Sequence, residues 1–164
     1  MKLLAVPLVA ILMAVSRPAS AAALCEAVLD LVIDGPAAFD PMKDHEGALT
    51  PMVFDGFDAC RILAPGDPPQ FVCTLEYPGG AGIEANKPKA ADLFAEYVEP
   101  IADCGLMEID ELFETQDEDG FCMTAIVYAD EPPGDYGLTL DVSACATRAG
   151  AHIVIMGEFD ELEW

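Results

Sequence analysis

The 164-residue sequence is poor in positive charge, with 7 lysines and arginines against 30 aspartates and glutamates. Two of the bases, Lys2 and Arg17, lie in the first 21 residues, so the rest of the chain has 30 acids against 5 bases and a formal charge of −25. Nucleic acids and anionic lipid surfaces are bound through basic footprints. The shortage of bases therefore excludes both as partners. It permits a solvated acidic surface, adaptation to a salty medium, or binding to a basic protein.

The sequence also lacks the motifs of common catalytic and metal sites. It has no Cys-x-x-Cys pair, and its two histidines, His45 and His152, are not spaced with cysteines as zinc ligands are. Ser143 is the one serine after residue 21, and it lacks the Gly-x-Ser-x-Gly elbow, which disfavours a triad with His152 and Asp141. Thirty acids make any single carboxylate pair uninformative. The missing motifs disfavour an enzyme, and the alternative is a small hydrolase or a divalent-cation-binding protein that uses clustered carboxylates.

One long apolar run is present, and it lies at the N-terminus. Lys2 precedes the 13 residues of Leu3 to Val15, and the small residues Ala19 to Ala23 follow. This pattern predicts a secretory signal peptide over residues 1–21, cleaved after Ala21 or Ala23. The run is shorter than the roughly 20 residues that a spanning helix needs, so we expect no membrane insertion after cleavage. Residues 22–164 then form a single periplasmic or secreted domain.

All six cysteines lie downstream of this signal, which in an exported chain predicts three disulfides. Phe57 to Tyr77 reads as a hairpin in which Leu63 pairs with Gln70 and Cys60 falls opposite Cys73 on the core-facing side. Residues 121–128 and 136–146 read as a second hairpin, with its cystine on the more polar face. Two antiparallel helices would bring the remaining two cysteines together. The predicted pairs are Cys60 with Cys73, Cys122 with Cys145, and Cys25 with Cys104.

Apolar spacing predicts two helices, one after the signal peptide and one between the two hairpins. Leu24, Val28 and Leu31 recur with helical period until Asp34-Gly35-Pro36. The second stripe runs from Ala90 to Ile101, with Asn86 as a candidate cap. Pro100 should kink the helix or end its regular part near Glu99, while Cys104 continues the stripe and Gly105 is a candidate C-terminal cap.

The predicted fold is α+β, an antiparallel sheet of five to seven strands with both amphipathic helices on one face, stapled by disulfides. The element order suggests two similar halves, residues 22–85 and 86–156. The last strand, Ala151 to Met156, is expected at the centre of the sheet because it is apolar on both faces. An acidic tail follows it over residues 157–164.

The densest acidic run is the strongest candidate for an interaction surface. It contains seven carboxylates, which are Glu108, Asp110, Glu111, Glu114, Asp117, Glu118 and Asp119. The spacing is not that of an EF-hand, so weak Ca²⁺ binding by Asp117, Glu118 and Asp119 is only the metal alternative, and no other cofactor is expected. We predict an exported, acidic, non-enzymatic binding domain, chaperone-like or inhibitor-like toward a basic protein or peptide.

Overall fold

The structure is a computed structural model that describes residues 21–42, 56–64, 70–129, 132 and 135–161. All of the predicted signal peptide except Ala21 lies outside the described residues. Two α-helices, α1 and α2, a short 3-10 helix and six strands, β1 to β6, make up the described part. In chain order they are α1 (Ala21–Asp34), the 3-10 helix (Gly35–Met42), β1 (Ala59–Ala64), β2 (Gln70–Pro78), α2 (Ile83–Ala102), β3 (Met107–Gln116), β4 (Gly120–Ala129), β5 (Tyr136–Thr147) and β6 (Gly150–Glu161).

The six strands form one antiparallel sheet in the order β1-β2-β6-β5-β4-β3. Helix α2 packs on β4, β5 and β6, and α1 packs on α2 and reaches β5. The expected α+β class, with two helices against one face of a disulfide-stapled sheet, is confirmed. β6 lies between β2 and β5, so the predicted central place of the last strand is also confirmed.

The core lies between α2 and the inner face of the sheet. Alternate residues of the central strands, such as Leu140, Val142 and Ile155, are fully buried on that face because side chains alternate along a strand. The helical stripes complete the layer: Val28 of α1 and Leu93 of α2 are both inaccessible to solvent. The periods of two and 3.6 in the sequence thus correspond to the two sides of one core.

Helix α2 begins earlier than predicted. It starts at Ile83, so Asn86 lies inside its first turns rather than at the cap. The buried Asn86 side chain instead accepts the Gly80 N–H and donates to the carbonyls of Gly80 and Thr147, each at 2.9 Å. At the other end the helix continues through Pro100 to Ala102. A proline removes a single backbone hydrogen bond, and burial of Ile101 on the core side offsets that loss.

The hairpin registers largely follow the cysteine pattern. Cys60 lies opposite Cys73, but Ala64 rather than Leu63 pairs with Gln70, because a bulge follows Ile62. That bulge leaves Leu63 exposed. The second hairpin has the expected register over its whole length. The structure contains three disulfides, Cys25–Cys104, Cys60–Cys73 and Cys122–Cys145. Such bonds are typical of proteins that fold in an oxidising compartment.

The predicted acidic tail is wrong over residues 157–161, because β6 continues to Glu161. Gly157 pairs with Phe71 on one side and Leu140 on the other, and Phe159 is buried in the core. Glu158 and Asp160 are the solvent-facing members of the same alternation. Residues 162–164 lie outside the described part. The two proposed halves contribute two and four strands, and they share one sheet through the pairing of β2 with β6.

Candidate functional site

Strand β3 is the last strand of the sheet on the side opposite β1, and among the described residues only those of β4 pair with it. It is ten residues long, and every residue after Met107 is exposed to solvent. A bulge interrupts the pairing between Ile109 and Glu111, after which the ladder is regular to Gln116. β3 therefore offers an uncovered length of backbone and a row of accessible side chains at one edge of the sheet.

The turn between β3 and β4 is held by the first aspartate of the Asp-Glu-Asp run. The Asp117 carboxylate accepts the backbone N–H groups of Asp119 and Gly120, both at 2.9 Å. The Asp117 N–H donates to the Gly120 carbonyl at 3.0 Å. This Asx-type turn accounts for Asp117 as a structural residue. It leaves the exposed side chains of Glu118 and Asp119 at the tip, next to the carboxylates of β3.

The carboxylates from Glu108 to Glu114 have no cation to neutralise them among the described residues. Glu108 accepts the Tyr128 hydroxyl at 2.9 Å, but none of the β3 acids forms an ion pair in the ranges that the structure describes. β3 therefore has a strip of uncompensated negative charge, and the field of such a strip attracts cationic groups.

The four lysines and arginines within the described ranges are engaged elsewhere. Lys87 forms an ion pair with Glu84 at 2.7 Å and donates to the Gln116 side chain at 3.3 Å. Arg148 donates to the backbone carbonyl of Glu118 at 3.1 Å. Lys89 lies 4.4 Å from the centroid of the Tyr77 ring, and Arg61 is on β1, at the opposite edge of the sheet. These contacts reach the turn but leave the β3 carboxylates uncompensated.

The strip also contains exposed apolar side chains. The described part of the chain has six exposed large apolar residues, and three of them, Ile109, Leu112 and Phe113, lie on β3. A cleft of ≈ 260 Å³ runs beside Leu112 and Phe113, with Phe94 of α2 and Met123 of β4 among its other lining residues. Apolar side chains concentrated within a polar surround are characteristic of interaction sites. The acidic run in the sequence indicated the charge, but its apolar component became visible only once β3 was placed at the edge.

The outer face of the sheet, the one away from the helices, contains a hydrogen-bonded row of polar side chains. Ser143 donates to Asp141 at 2.9 Å, and the hydroxyls of Ser143 and Thr124 lie 2.8 Å apart. His152 lies opposite Cys145 and Glu76 and takes no part in this row. A nucleophilic serine needs a base within hydrogen-bonding distance, so these residues are not arranged as a triad.

His152 lines a cleft of ≈ 680 Å³ at the end of β2 and β6, together with Glu76 and Thr147. Burial lowers the pKa of His152, and the negative charge of Glu76 partly offsets that effect. Of the two hydroxyls in the lining, that of Thr147 donates to the Gly150 carbonyl at 3.2 Å, and that of Tyr77 belongs to a phenol whose pKa is raised by burial. The cleft therefore presents an acid and a neutral imidazole without an activated nucleophile.

A pair of tyrosines forms the third polar feature, one that sequence reasoning treated only as core. Tyr97 is 1% exposed and packs edge-on against Phe57, with the ring centroids 5.4 Å apart. Burial raises the pKa of Tyr97 and, to a lesser extent, that of Tyr77 beside it. Tyr77 is close enough to influence the Tyr97 hydroxyl electrostatically, yet no described group makes a hydrogen bond of ordinary geometry with that hydroxyl.

No three histidine, cysteine or carboxylate side chains within the described ranges are grouped closely enough to hold a metal ion. The candidate calcium residues Asp117, Glu118 and Asp119 are consecutive in one turn, and the first of them is occupied with backbone amides. Calcium takes six to eight oxygen ligands, which this turn does not assemble from its own side chains.

The fold and the site define a class: a disulfide-stapled α+β domain with an acidic, partly apolar edge strand. Comparison of the chain with protein-family models, with curated proteins and with solved structures finds no significant match. None of the helices within the described residues is long and apolar enough to cross a membrane.

Proposed function

We propose that the chain is an exported binding domain, periplasmic or secreted, that engages a basic protein or peptide through the exposed edge of β3. The observation that supports this most is the strip from Glu108 to Glu114, in which uncompensated carboxylates alternate with exposed apolar side chains. Charge alone would suit a solvated surface. The accessible Leu112 and Phe113 are what favour contact with a partner, because exposed apolar area is stabilised by burial at an interface.

The structure also favours binding over catalysis at this surface. β3 contains no histidine, serine or cysteine beside its carboxylates, and on the outer face Ser143 donates to Asp141 with no histidine in the row. An acidic surface raises the rate of encounter with a basic partner and makes the affinity fall with added salt.

The test compares three versions of the chain as bait for proteins exported by the source organism. The first is the native chain, and the second is Asp110→Asn/Glu111→Gln/Glu114→Gln on β3. The third is a matched control with the same change in net charge on the helices, Glu26→Gln/Asp92→Asn/Glu99→Gln. All six side chains are exposed, so neither set is expected to destabilise the fold.

We expect a basic protein to be retained at low ionic strength by the native and control baits, and to be lost from the β3 variant and at about 0.5 M salt, where the Debye length is only a few ångströms. Equal loss from both variants would show that bulk charge, not β3, is responsible. If no basic protein is retained by the native chain at low salt, the proposed function is wrong.

A further inference from the structure

The geometry of β3 indicates the conformation in which a partner segment would bind. We propose, resting on the function proposed above, that the partner docks as an extended strand that adds to the free edge of β3, with apolar side chains toward α2 and basic side chains on the opposite face. In this mode backbone hydrogen bonds supply affinity, and alternate side chains supply specificity.

The edge is regular and long enough for such an addition. From Glu111 to Gln116 each residue of β3 has a partner in β4 without a bulge, which leaves the alternate N–H and C=O groups on the other side of the strand directed away from the sheet. β3 contains no proline and no lysine, two residues that commonly block edge pairing. The other edge is less suitable for a basic segment, because β1 has six residues against the ten of β3 and carries the positive Arg61.

The two faces of β3 differ in chemistry, and the register assigns each side chain to one of them. Ile109 and Leu112 lie opposite Val127 and Ala125, which are buried on the helix side. Residues directly opposite in an antiparallel pair share a face. An added strand would therefore place apolar side chains beside Ile109 and Leu112, where the ≈ 260 Å³ cleft next to Phe94 accommodates them.

From Glu108 to Leu112 the outer face of β3 is acidic and its helix-side face is apolar, and Phe113 and Glu114, opposite Thr124 and Met123, reverse that order. Glu108 and Glu111 lie opposite Tyr128 and Ile126, on the side of the sheet away from the helices. Lysines or arginines on that face of the added strand would meet these carboxylates across the edge. A second copy of this chain does not fit, because its own β3 would bring the same negative charge to the contact. The occupant is thus a strand of a different protein, with basic and apolar residues in alternation.

The test uses nine-residue synthetic peptides and the whole mature chain. The reference peptide alternates lysine with valine, and a control peptide has the same composition in two blocks. Two further isomers are N-methylated at every second amide, on the lysines in one and on the valines in the other. In an added strand only one of these two sets of amides faces β3, so one isomer should bind at least tenfold more weakly than the other.

A pair of apolar variants tests the face that the peptide occupies. Leu112→Ser should weaken binding of the alternating peptide about fivefold, the equivalent of burying part of one leucine. Ile33→Ser is the matched control, because Ile33 on α1 and Leu112 are both 60% exposed. It should leave the affinity unchanged.

The outcomes separate this inference from the function on which it rests. If lysine-rich peptides bind in a salt-dependent manner that requires the β3 acids, but both N-methylated isomers and the block peptide bind equally, strand addition is wrong and the acidic binding surface stands. If no basic peptide binds, or if binding is indifferent to the β3 neutralisation, both proposals are wrong.

Discussion

Replacing Gly157 by alanine tests the part of the sheet that the sequence pattern did not anticipate. Gly157 lies in β6 between Phe71 of β2 and Leu140 of β5. A Cβ built at this position would overlap the Cε1 and Cζ atoms of the Phe71 ring and lie 2.9 Å from its Cδ1. The ring thus occupies the volume that any side chain at residue 157 would need.

The expected cost of Gly157→Ala is large for the addition of one methyl group. Phe71 is fully buried, so its ring has no open space to move into. β6 is paired on both sides, which restrains the backbone as well. Overpacking a core typically costs ~1–3 kcal/mol, and we expect about 3 here. In an exposed tail the same change would be neutral, or would stabilise by ~0.4–1 kcal/mol through the unfolded state. The sign of the effect therefore separates strand from tail.

Urea unfolding of the oxidised protein measures the effect. Gly80→Ala is the control, because Gly80 is exposed and a Cβ there would lie 3.4 Å from the Ala85 Cβ, an ordinary van der Waals contact. A double-mutant cycle identifies the cause. Phe71→Leu alone should cost about 1.5 kcal/mol, and the double variant should be at least about 1 kcal/mol more stable than the sum of the single changes predicts. If Gly157→Ala is as stable as the native chain, the close packing of Phe71 on Gly157 is wrong.

Three further predictions concern the polar and covalent features. Burial lowers the pKa of His152, so as the pH falls below ~6.5 this histidine is protonated in the unfolded chain before it is protonated in the folded one, and the free energy of unfolding decreases toward the folded-state pKa. In urea titrations from pH 7.5 to 5, His152→Gln should therefore lose stability less steeply than the native chain. The same slope of stability against pH in both proteins would contradict this. Tyr97→Phe should be neutral or stabilise by up to ~1 kcal/mol, since it removes an unsatisfied buried hydroxyl; a thermal shift downward by several degrees would reveal a hydrogen bond that the structure lacks. Replacing Cys25 and Cys104 by alanine should cost about 4.5 kcal/mol of stability in the chain-entropy model, and replacing Cys60 and Cys73 about 3 kcal/mol. The first disulfide closes the longer loop, because the sequence separations are 79 and 13 residues. Equal losses of stability in denaturant titrations would refute this dependence on loop length.

The elements that follow local periodicity were predictable from the sequence. Alternation along residues 121–128 and 136–146 determines the register of the second hairpin, because a slip by one residue would expose Val142 and bury Asp141. The cysteines at facing positions give independent support to both hairpins. The end of α1 follows from Asp34-Gly35-Pro36 for an equally local reason, as Gly35 adopts a positive φ of 54°.

The features that depend on distant parts of the chain were not predictable. Asn86 resembles a cap locally, but its amide is bonded to Thr147, 61 residues away. Gly157 interrupts an apolar run and precedes acids, so it resembles the start of a tail until Phe71 is placed over it. Strand order likewise has little local signature: the acids of Met107–Gln116 disfavour a central position, but nothing in the strand says which neighbour it pairs with.

The position of β3 changes the meaning of its acids. On a central strand, the four carboxylates between Glu108 and Glu114 would repel one another and destabilise the sheet. At an edge they extend into water, and they also disfavour pairing between identical chains there, since each copy has a formal charge of −23. Protection from self-association does not explain why Leu112 and Phe113 are exposed, because they add apolar area to the edge and apolar area favours association. The proposed basic strand would reconcile these two features, because such a partner would neutralise the charge and bury the apolar area in the same contact.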